Sequence, residues 1–325
     1  MSLLDHPSSP TASRERDRVA GGLEGLLIGD ALGVPFEFKQ PGALPAPEQI
    51  DFEPPASFPR SHAGTPPGTW SDDGAQALCL LASLLYAKRL DLDDFSRRLV
   101  DWADRGYLAV DGRVFDIGIQ TNRAIAALRG GASWETSGPA HEMANGNGAL
   151  MRVLPLALWH RGPDAELIAL AAEQSRPTHA HPRSRVCCAM LCLWAKRLLE
   201  SVDAPWDAAA RVLRDDATGR DATWRAEVDG ILDPGHARSA SGSGYVVDTL
   251  WSARLALQQG ENYAAVVRRA IAFGHDTDTT AAIAGGLAGI RHGLSGIPTS
   301  WRAHLRGREI LEPILRQLLE ALTSG

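Results

Sequence analysis

The chain has 325 residues, 44% of them hydrophobic, and a formal net charge of −6. That is enough apolar material for one large core, and the absence of a basic run argues against non-specific nucleic-acid binding. Lysine stands only at Lys39, Lys88 and Lys196, and the arginines that make up the rest of the basic residues form no stripe.

Residues 1–16 are polar and rich in Ser, Pro and Arg, and are expected to form a flexible tail. They contain no apolar signal core, and no apolar run reaches about 18 residues, so neither a signal peptide nor a membrane span is expected. Val19, Leu23, Leu26, Leu27 and Ala31 then recur with helical spacing up to Gly33. Residues 40–69 hold eight prolines and read as a long loop, which inside a compact domain is usually functional or disordered. Helix-length periodic segments follow at roughly 73–90, 92–105, 116–130, 148–161, 164–175, 182–201, 206–216, 246–258, 262–273, 279–293 and 308–322. Ala and Leu dominate them, β-branched residues are sparse and strand-like alternation is nearly absent, so an all-α fold is predicted. No repeat of fixed period is evident. Residues 217–244, ending in Ser241-Gly242-Ser243-Gly244, suggest a second flexible loop, too short to separate the chain into domains. One helical domain over 17–325 is expected. Cys79, Cys187, Cys188 and Cys192 lie inside apolar runs and read as buried, reduced thiols, consistent with a cytoplasmic protein.

Four segments carry chemistry. Ser71-Asp72-Asp73-Gly74 precedes an apolar helix. Ser71 suits an N-cap and the aspartates suit the positive end of the helix dipole; a hydroxyl followed by two carboxylates also suits a hard cation, which takes oxygen ligands. His275-Asp276-Thr277-Asp278-Thr279-Thr280 opens a second helix, built of small residues that include the adjacent Gly285 and Gly286. Glycine costs helix stability, so this helix is expected to be central, with another backbone close against it. Four carboxylates at two buried helix starts would repel one another strongly, and two divalent ions would cancel that charge. Gly29-Asp30 through Glu37 places carboxylates around a helix end, where Asp30 can serve as a local acceptor and Glu37 as a solvated side chain. Asn145-Gly146-Asn147-Gly148 is a turn before a helix, whose backbone N–H groups suit phosphate or form a plain loop. No Gly-Lys-Ser/Thr follows it, so it is not a Walker loop.

Together these segments, with Phe115-Asp116-Ile117-Gly118, Thr178-His179-Ala180-His181-Pro182 and Gly244-Tyr245 in order between about Val19 and Gly289, resemble the ADP-ribosylglycohydrolase family. The resemblance implies an all-α, compact orthogonal multi-helix bundle. It also implies two Mg²⁺ or Mn²⁺ ions, held by Ser71, Asp72 and Asp73 on one side and by Asp276, Asp278 and Thr279 on the other. By the same resemblance Glu37 is the catalytic carboxylate on the first loop and Asp116 a second acid near the substrate ribose. Asn147 and Gly148 then belong to a phosphate-binding turn, and His179 and Tyr245 line the adenosine side. The implied activity is cleavage of the C1″ glycosidic bond between ADP-ribose and a modified protein or small conjugate. Gly74 departs from the family's usual Thr or Ser, and His275 from a frequent Gly. A metal-free glycosidase with two carboxylates would leave the clustered aspartates unexplained. Another metal-dependent hydrolase and a non-catalytic ADP-ribose-binding protein are the remaining alternatives.

Overall fold

A run of glycines at Gly21, Gly25, Gly29 and Gly33 repeats every four residues and so lines one face of the first helix. In the structure, a computed structural model that describes residues 10–322, this face meets a helix from the far end of the chain. The helices are α1 (Pro10–Gly33), α2 (Asp72–Ala87), α3 (Leu92–Arg105), α4 (Ile119–Arg129), α5 (Trp134–Ser137), α6 (Leu154–Trp159), α7 (Asp164–Glu173) and α8 (Pro182–Leu199). They continue with α9 (Pro205–Ala217), α10 (Ala222–Ile231), α11 (His236–Ser239), α12 (Val246–Gln259), α13 (Tyr263–Ile271), α14 (Thr277–His292), α15 (Thr299–His304) and α16 (Arg308–Ala321). Among the described residues no strand forms; a single isolated bridge joins Gly146 and Tyr245.

Helices α1 and α14 form the centre. A methyl group at Gly29 would sit 2.0 Å from the Ala281 carbonyl oxygen, and one at Gly289 would sit 1.9 Å from the Gly21 carbonyl oxygen. The two backbones are therefore in contact along their length, which is what the small residues of the later helix required. The Tyr263 hydroxyl donates to the Gly25 carbonyl at 2.7 Å and fixes α13 across the pair. Around this axis α2, α6, α8 and α12 contribute Leu78, Leu81, Leu156, Leu191 and Leu250 to one continuous buried core.

The all-α expectation holds, with differences at element level. The first helix starts inside the stretch expected to be a tail: residues 10–16 are helical, and buried Arg16 donates to the Leu319 carbonyl at 2.7 Å. Residues 1–9 of that expected tail lie outside the described residues. Residues 12–36 are also long and apolar enough to cross a membrane by composition, but their apolar window is entirely buried in the protein, as befits a core helix. The expected second loop contains α10, capped by Asp221 and buried on one side through Trp224, Val228 and Ile231. Those three follow a spacing of four and three, a helical stripe masked by the polar residues between them. Residues 148–153 are turn rather than helix, and Pro155 sits in the first turn of α6. The proline-rich stretch is largely irregular, interrupted by short 3-10 turns at Pro41–Ala43 and Pro47–Gln49.

Candidate active site

The contact of α1 with α14 continues to the ends that carry acids. At Gly33 an added methyl would lie 2.3 Å from the Asp278 Cα, and the Thr277 hydroxyl donates to the Gly33 carbonyl at 2.8 Å. The C-terminus of α1 is thereby pinned to the N-terminus of α14. Asp30 ties in the third element: its Oδ1 and Oδ2 accept from the Ser71 N–H at 2.9 and 3.0 Å, and Oδ2 accepts from Gly74 N–H at 2.8 Å. Asp30 is thus the local acceptor that its sequence context allowed, and it sets the start of α2 against α1. Gly74 has no room for a side chain, because an added Cβ would meet Trp70 Cγ at 2.8 Å and Leu27 Cδ2 at 2.7 Å.

Acids from both ends of the chain now share one place. Ser71 caps α2, its hydroxyl accepting from Asp73 N–H at 3.3 Å and donating to Asp73 Oδ2 at 3.2 Å. Thr279 donates to that same oxygen at 3.4 Å across the gap between α14 and α2. Asp73 Oδ1 and Asp278 Oδ2 are buried with no hydrogen-bond partner. Asp276 makes no side-chain cap, so capping does not account for it; its Oδ2 accepts from Asn147 Nδ2 at 2.7 Å. Glu37 comes within 4.8 Å of Asp276 and Asp278, ligand atom to ligand atom, and the three could hold a cation. It also belongs to another group of the same tightness, with His62 and Asp116.

The electrostatics follow from this crowding. Burial, reinforced by Asp116, Asp276 and Asp73, pushes the Glu37 carboxyl up to about 11. Asp72, Asp73 and Asp278 are pushed well above the usual carboxylate range, first by burial and then by the acids packed around them: Asp73 next to Asp72, Asp30 next to Asp73, Glu37 next to Asp278, and Asp116 beside all three. Asp116 is raised by burial as well. Burial raises Asp30 to about 7 against the lowering effect of its three backbone hydrogen bonds. Burial and mutual repulsion favour protonated carboxyls here, whereas a bound cation would stabilise the same carboxylates as anions. Behind Asp72 lies a buried relay: Gln76 Nε2 donates to Asp72 Oδ2 at 2.9 Å, and Arg152 Nη1 donates to Gln76 Oε1 at 2.9 Å. Gln174 receives the rest of the guanidinium through its side-chain oxygen at 3.3 Å and its carbonyl at 3.1 Å.

Above the acids opens a cavity of about 440 Å³ lined by Glu37, Asp72, Asp116, Asn147, Gly148, His179, Asp276 and Thr279, with Arg123 at its wall. His179 is buried and its Nδ1 pairs with the Thr178 hydroxyl at 2.8 Å; burial keeps its imidazole neutral. Gly148 must be glycine here, since a Cβ would lie 2.8 Å from His179 Cε1. Two sequence-derived positions are placed otherwise than expected. The Gly146 N–H donates to Gln120 Oε1 and the Asn147 N–H to the Gly244 carbonyl, so neither is free for phosphate; the Asn147 side chain serves Asp276 and Thr249 instead. Tyr245 does not line this cavity: its half-exposed ring borders a separate pocket with His236 and Asp248, and only its neighbour Gly244 reaches the site. A turn's backbone pairing and a ring's direction are both set by the partner segment, which sequence spacing does not report.

Four residues of consequence had no clear signal: His62 in the irregular loop, and Gln76, Arg152 and Gln174 in the relay. Only Gln76 was findable, four residues after Asp72 on the same helix face.

A helical bundle that gathers carboxylates from both ends of its chain at the floor of one cavity has the make-up of a cation-assisted hydrolase. The chain belongs to the ADP-ribosylglycohydrolase family, whose family model matches residues 11–325. It is 32% identical to an ADP-ribosylarginine hydrolase of Serratia proteamaculans, covering 94% of this chain and 80% of that protein. It is 28% identical to the ADP-ribosyl-[dinitrogen reductase] glycohydrolase of Rhodospirillum rubrum, covering 96% and 97%. A solved structure titled ADP-ribosylglycohydrolase-related protein complex superposes with a TM-score of 0.76 at 29% identity, over 95% of this chain and 99% of that one.

Proposed function

We propose that this protein hydrolyses the C1″ glycosidic bond between ADP-ribose and a modified target, releasing ADP-ribose. It is a glycosyl-bond hydrolase by family; the ion number and identity, the residue roles and the target are our reading. The observation that carries the metal reading is the pair of buried, unpartnered oxygens, Asp73 Oδ1 and Asp278 Oδ2, on helices from opposite ends of the chain. Buried carboxylate oxygens left without a donor are costly unless a cation takes them. The ligands proposed here, Ser71, Asp72, Asp73, Asp276, Asp278 and Thr279, offer only oxygens, which fits Mg²⁺ or Mn²⁺ better than softer metals. Ser71, Asp72 and Asp73 would hold one ion, and Asp276, Asp278 and Thr279 the other.

Bound there, such ions supply Lewis-acid stabilisation of the charge that develops as the glycosidic bond breaks. The chain's own residues do the rest. Asn147 orients Asp276 through its amide, and the Gln76–Arg152 relay orients Asp72. Glu37, buried at the cavity wall, is placed to accept a proton from the attacking water once bound cations hold its carboxyl as an anion, and Asp116 beside it is the second acid. Neutral His179 and Gly148 shape the far wall where the nucleotide lies, and Arg123 offers charge to its diphosphate. Two relatives carry the name ADP-ribosylarginine hydrolase, which favours an arginine-linked target. The test is a panel of defined substrates, linked through arginine, serine, a nucleobase or O-acetyl, with release of free ADP-ribose followed with and without Mg²⁺ or Mn²⁺. Release from arginine-linked substrate that needs metal is expected; no release from any member, or full release by metal-stripped protein, refutes the reading.

A further inference from the structure

His62 sits in the proline-rich loop, where no periodic pattern marks it, yet it touches the carboxylate on which the proposed chemistry turns. Its Nε2 lies 2.7 Å from Glu37 Oε2. Its ring is held between Phe38, at 5.8 Å, and Phe115, at 5.1 Å, and is mostly shielded from solvent. The neighbouring Ser61 grips the same segment twice, donating from its N–H to the Pro35 carbonyl at 2.9 Å and from its hydroxyl to the Glu37 carbonyl. A turn closes behind the histidine, with the Thr65 N–H donating to the His62 carbonyl at 2.7 Å, and Arg113 ties that turn to the segment bearing Asp116 through the Gly64 carbonyl at 2.6 Å.

The backbone points the same way. Phe38, His62, Asp116 and His275 all adopt left-handed φ values, of 61°, 48°, 59° and 57°. Residues other than glycine hold that conformation only where their surroundings over-determine it, and such positions cluster at functional sites. Here all four surround Glu37: Phe38 follows it, its N–H donating to the His275 carbonyl at 2.6 Å, while His62 and Asp116 form one tight group with its carboxylate. A loop that served only as cover would need neither the paired grip of Ser61 nor an imidazole aimed at the acid.

We infer that His62 is a positioning residue, whose Nε2 fixes the Glu37 carboxylate in the rotamer that faces the cavity. This rests on Glu37 being the catalytic carboxylate proposed above. Groups that orient a reacting side chain without touching substrate are typically worth about 10–100-fold in activity. A glutamine at this position carries an amide donor at comparable reach, so it can replace the imidazole's hydrogen bond but not its ring packing.

The test uses the full chain with Mg²⁺ and ADP-ribosylarginine, comparing His62→Ala, His62→Gln, Glu37→Gln and the double variant His62→Ala/Glu37→Gln. His62→Ala is expected to lower kcat about 10–100-fold, with KM and free ADP-ribose affinity within about twofold. His62→Gln recovers most of that loss. In the Glu37→Gln background the alanine costs less than about twofold more, because the two residues act as one unit. Amide hydrogen exchange at Phe38 is measured in parallel and needs no substrate: His62→Ala accelerates it and His62→Gln does so less. A normal kcat in His62→Ala beside a collapsed Glu37→Gln overturns the role of His62 while leaving that of Glu37 intact. Additive losses, or a loss that glutamine fails to rescue, overturn it equally. Near-normal turnover in Glu37→Gln refutes the catalytic reading of Glu37 and the positioning role with it. If the wild type cleaves nothing on the panel, the exchange result decides: unchanged exchange at Phe38 overturns the inference.

Discussion

Replacing Asp278 by Asn should stabilise the metal-free protein. Unfolded, an aspartate ionises near pH 3.9. Folded, the Asp278 carboxyl is held well above that by burial and by Glu37, Asp116, Asp73 and Asp276. A carboxyl with a raised folded pKa contributes its full stability below about pH 4 and loses it as the pH rises towards the folded value. As the pH rises above about 4 the unfolded chain releases this proton more readily than the native protein does, and at pH 7 the cost to the native state cannot exceed the full gap from the unfolded value. That gap is roughly 3 pH units at about 1.36 kcal/mol each, a ceiling of about 4 kcal/mol. Asparagine keeps the oxygen that Asp278 offers to the Thr279 N–H at 2.9 Å and carries no charge. With an unfolding entropy of about 2.1 cal/mol/K per residue over 325 residues, the ceiling corresponds to a rise in Tm of about 6 °C. At pH 5 the gap from the unfolded value is only about a third as wide, and the ceiling falls in proportion. The assay is scanning calorimetry of chelated wild type and Asp278→Asn at pH 5 and pH 7, repeated with Mg²⁺. Mg²⁺ should raise the wild-type Tm by mass action and raise that of the variant much less. A variant no more stable than wild type in chelator at pH 7, with an unchanged Mg²⁺ response, would refute the reasoning.

Three further outcomes are expected. Chelation should abolish turnover and Mg²⁺ or Mn²⁺ restore it, checked by ADP-ribose release against elemental analysis; metal-stripped protein at full rate sinks the ligand assignment. Glu37→Gln should lower the single-turnover rate by about 10²–10⁴-fold while ADP-ribose affinity, read by calorimetry, changes little; a rate within about threefold of wild type moves the role to Asp116. Gly29→Ala should destabilise by about 3 kcal/mol or more in denaturant titration, because the new methyl would lie 2.0 Å from the Ala281 carbonyl oxygen with backbone on both sides; unchanged stability would mean that α1 and α14 separate freely.

The kinds of element and the kinds of donor were legible in the chain itself. Helical periodicity marks most of the helices, because a buried helix face imposes its spacing on the residues that form it. Hydroxyl–acid clusters at Ser71–Asp73 and Asp276–Thr279 announce themselves for the same local reason, since a helix start and a cation both ask for oxygen donors at short spacing. The adjacent Gly285 and Gly286 require a close neighbour without saying which. Only the tertiary structure supplies the neighbours, the glycine face of α1 against Gly285 and Leu154 of α6 against Gly286, and with them the contact that brings Gly33 to Asp278 and Asp30 to Ser71. It also decides that the Asn147 side chain serves Asp276, that the Tyr245 ring lies outside the cavity, and that His62 reaches Glu37. These pairings join residues 25 to 129 positions apart, or turn on which way a side chain leaves an irregular segment. Local patterns record what a residue's own helix or turn demands; a partner reached only through packing leaves no trace in them.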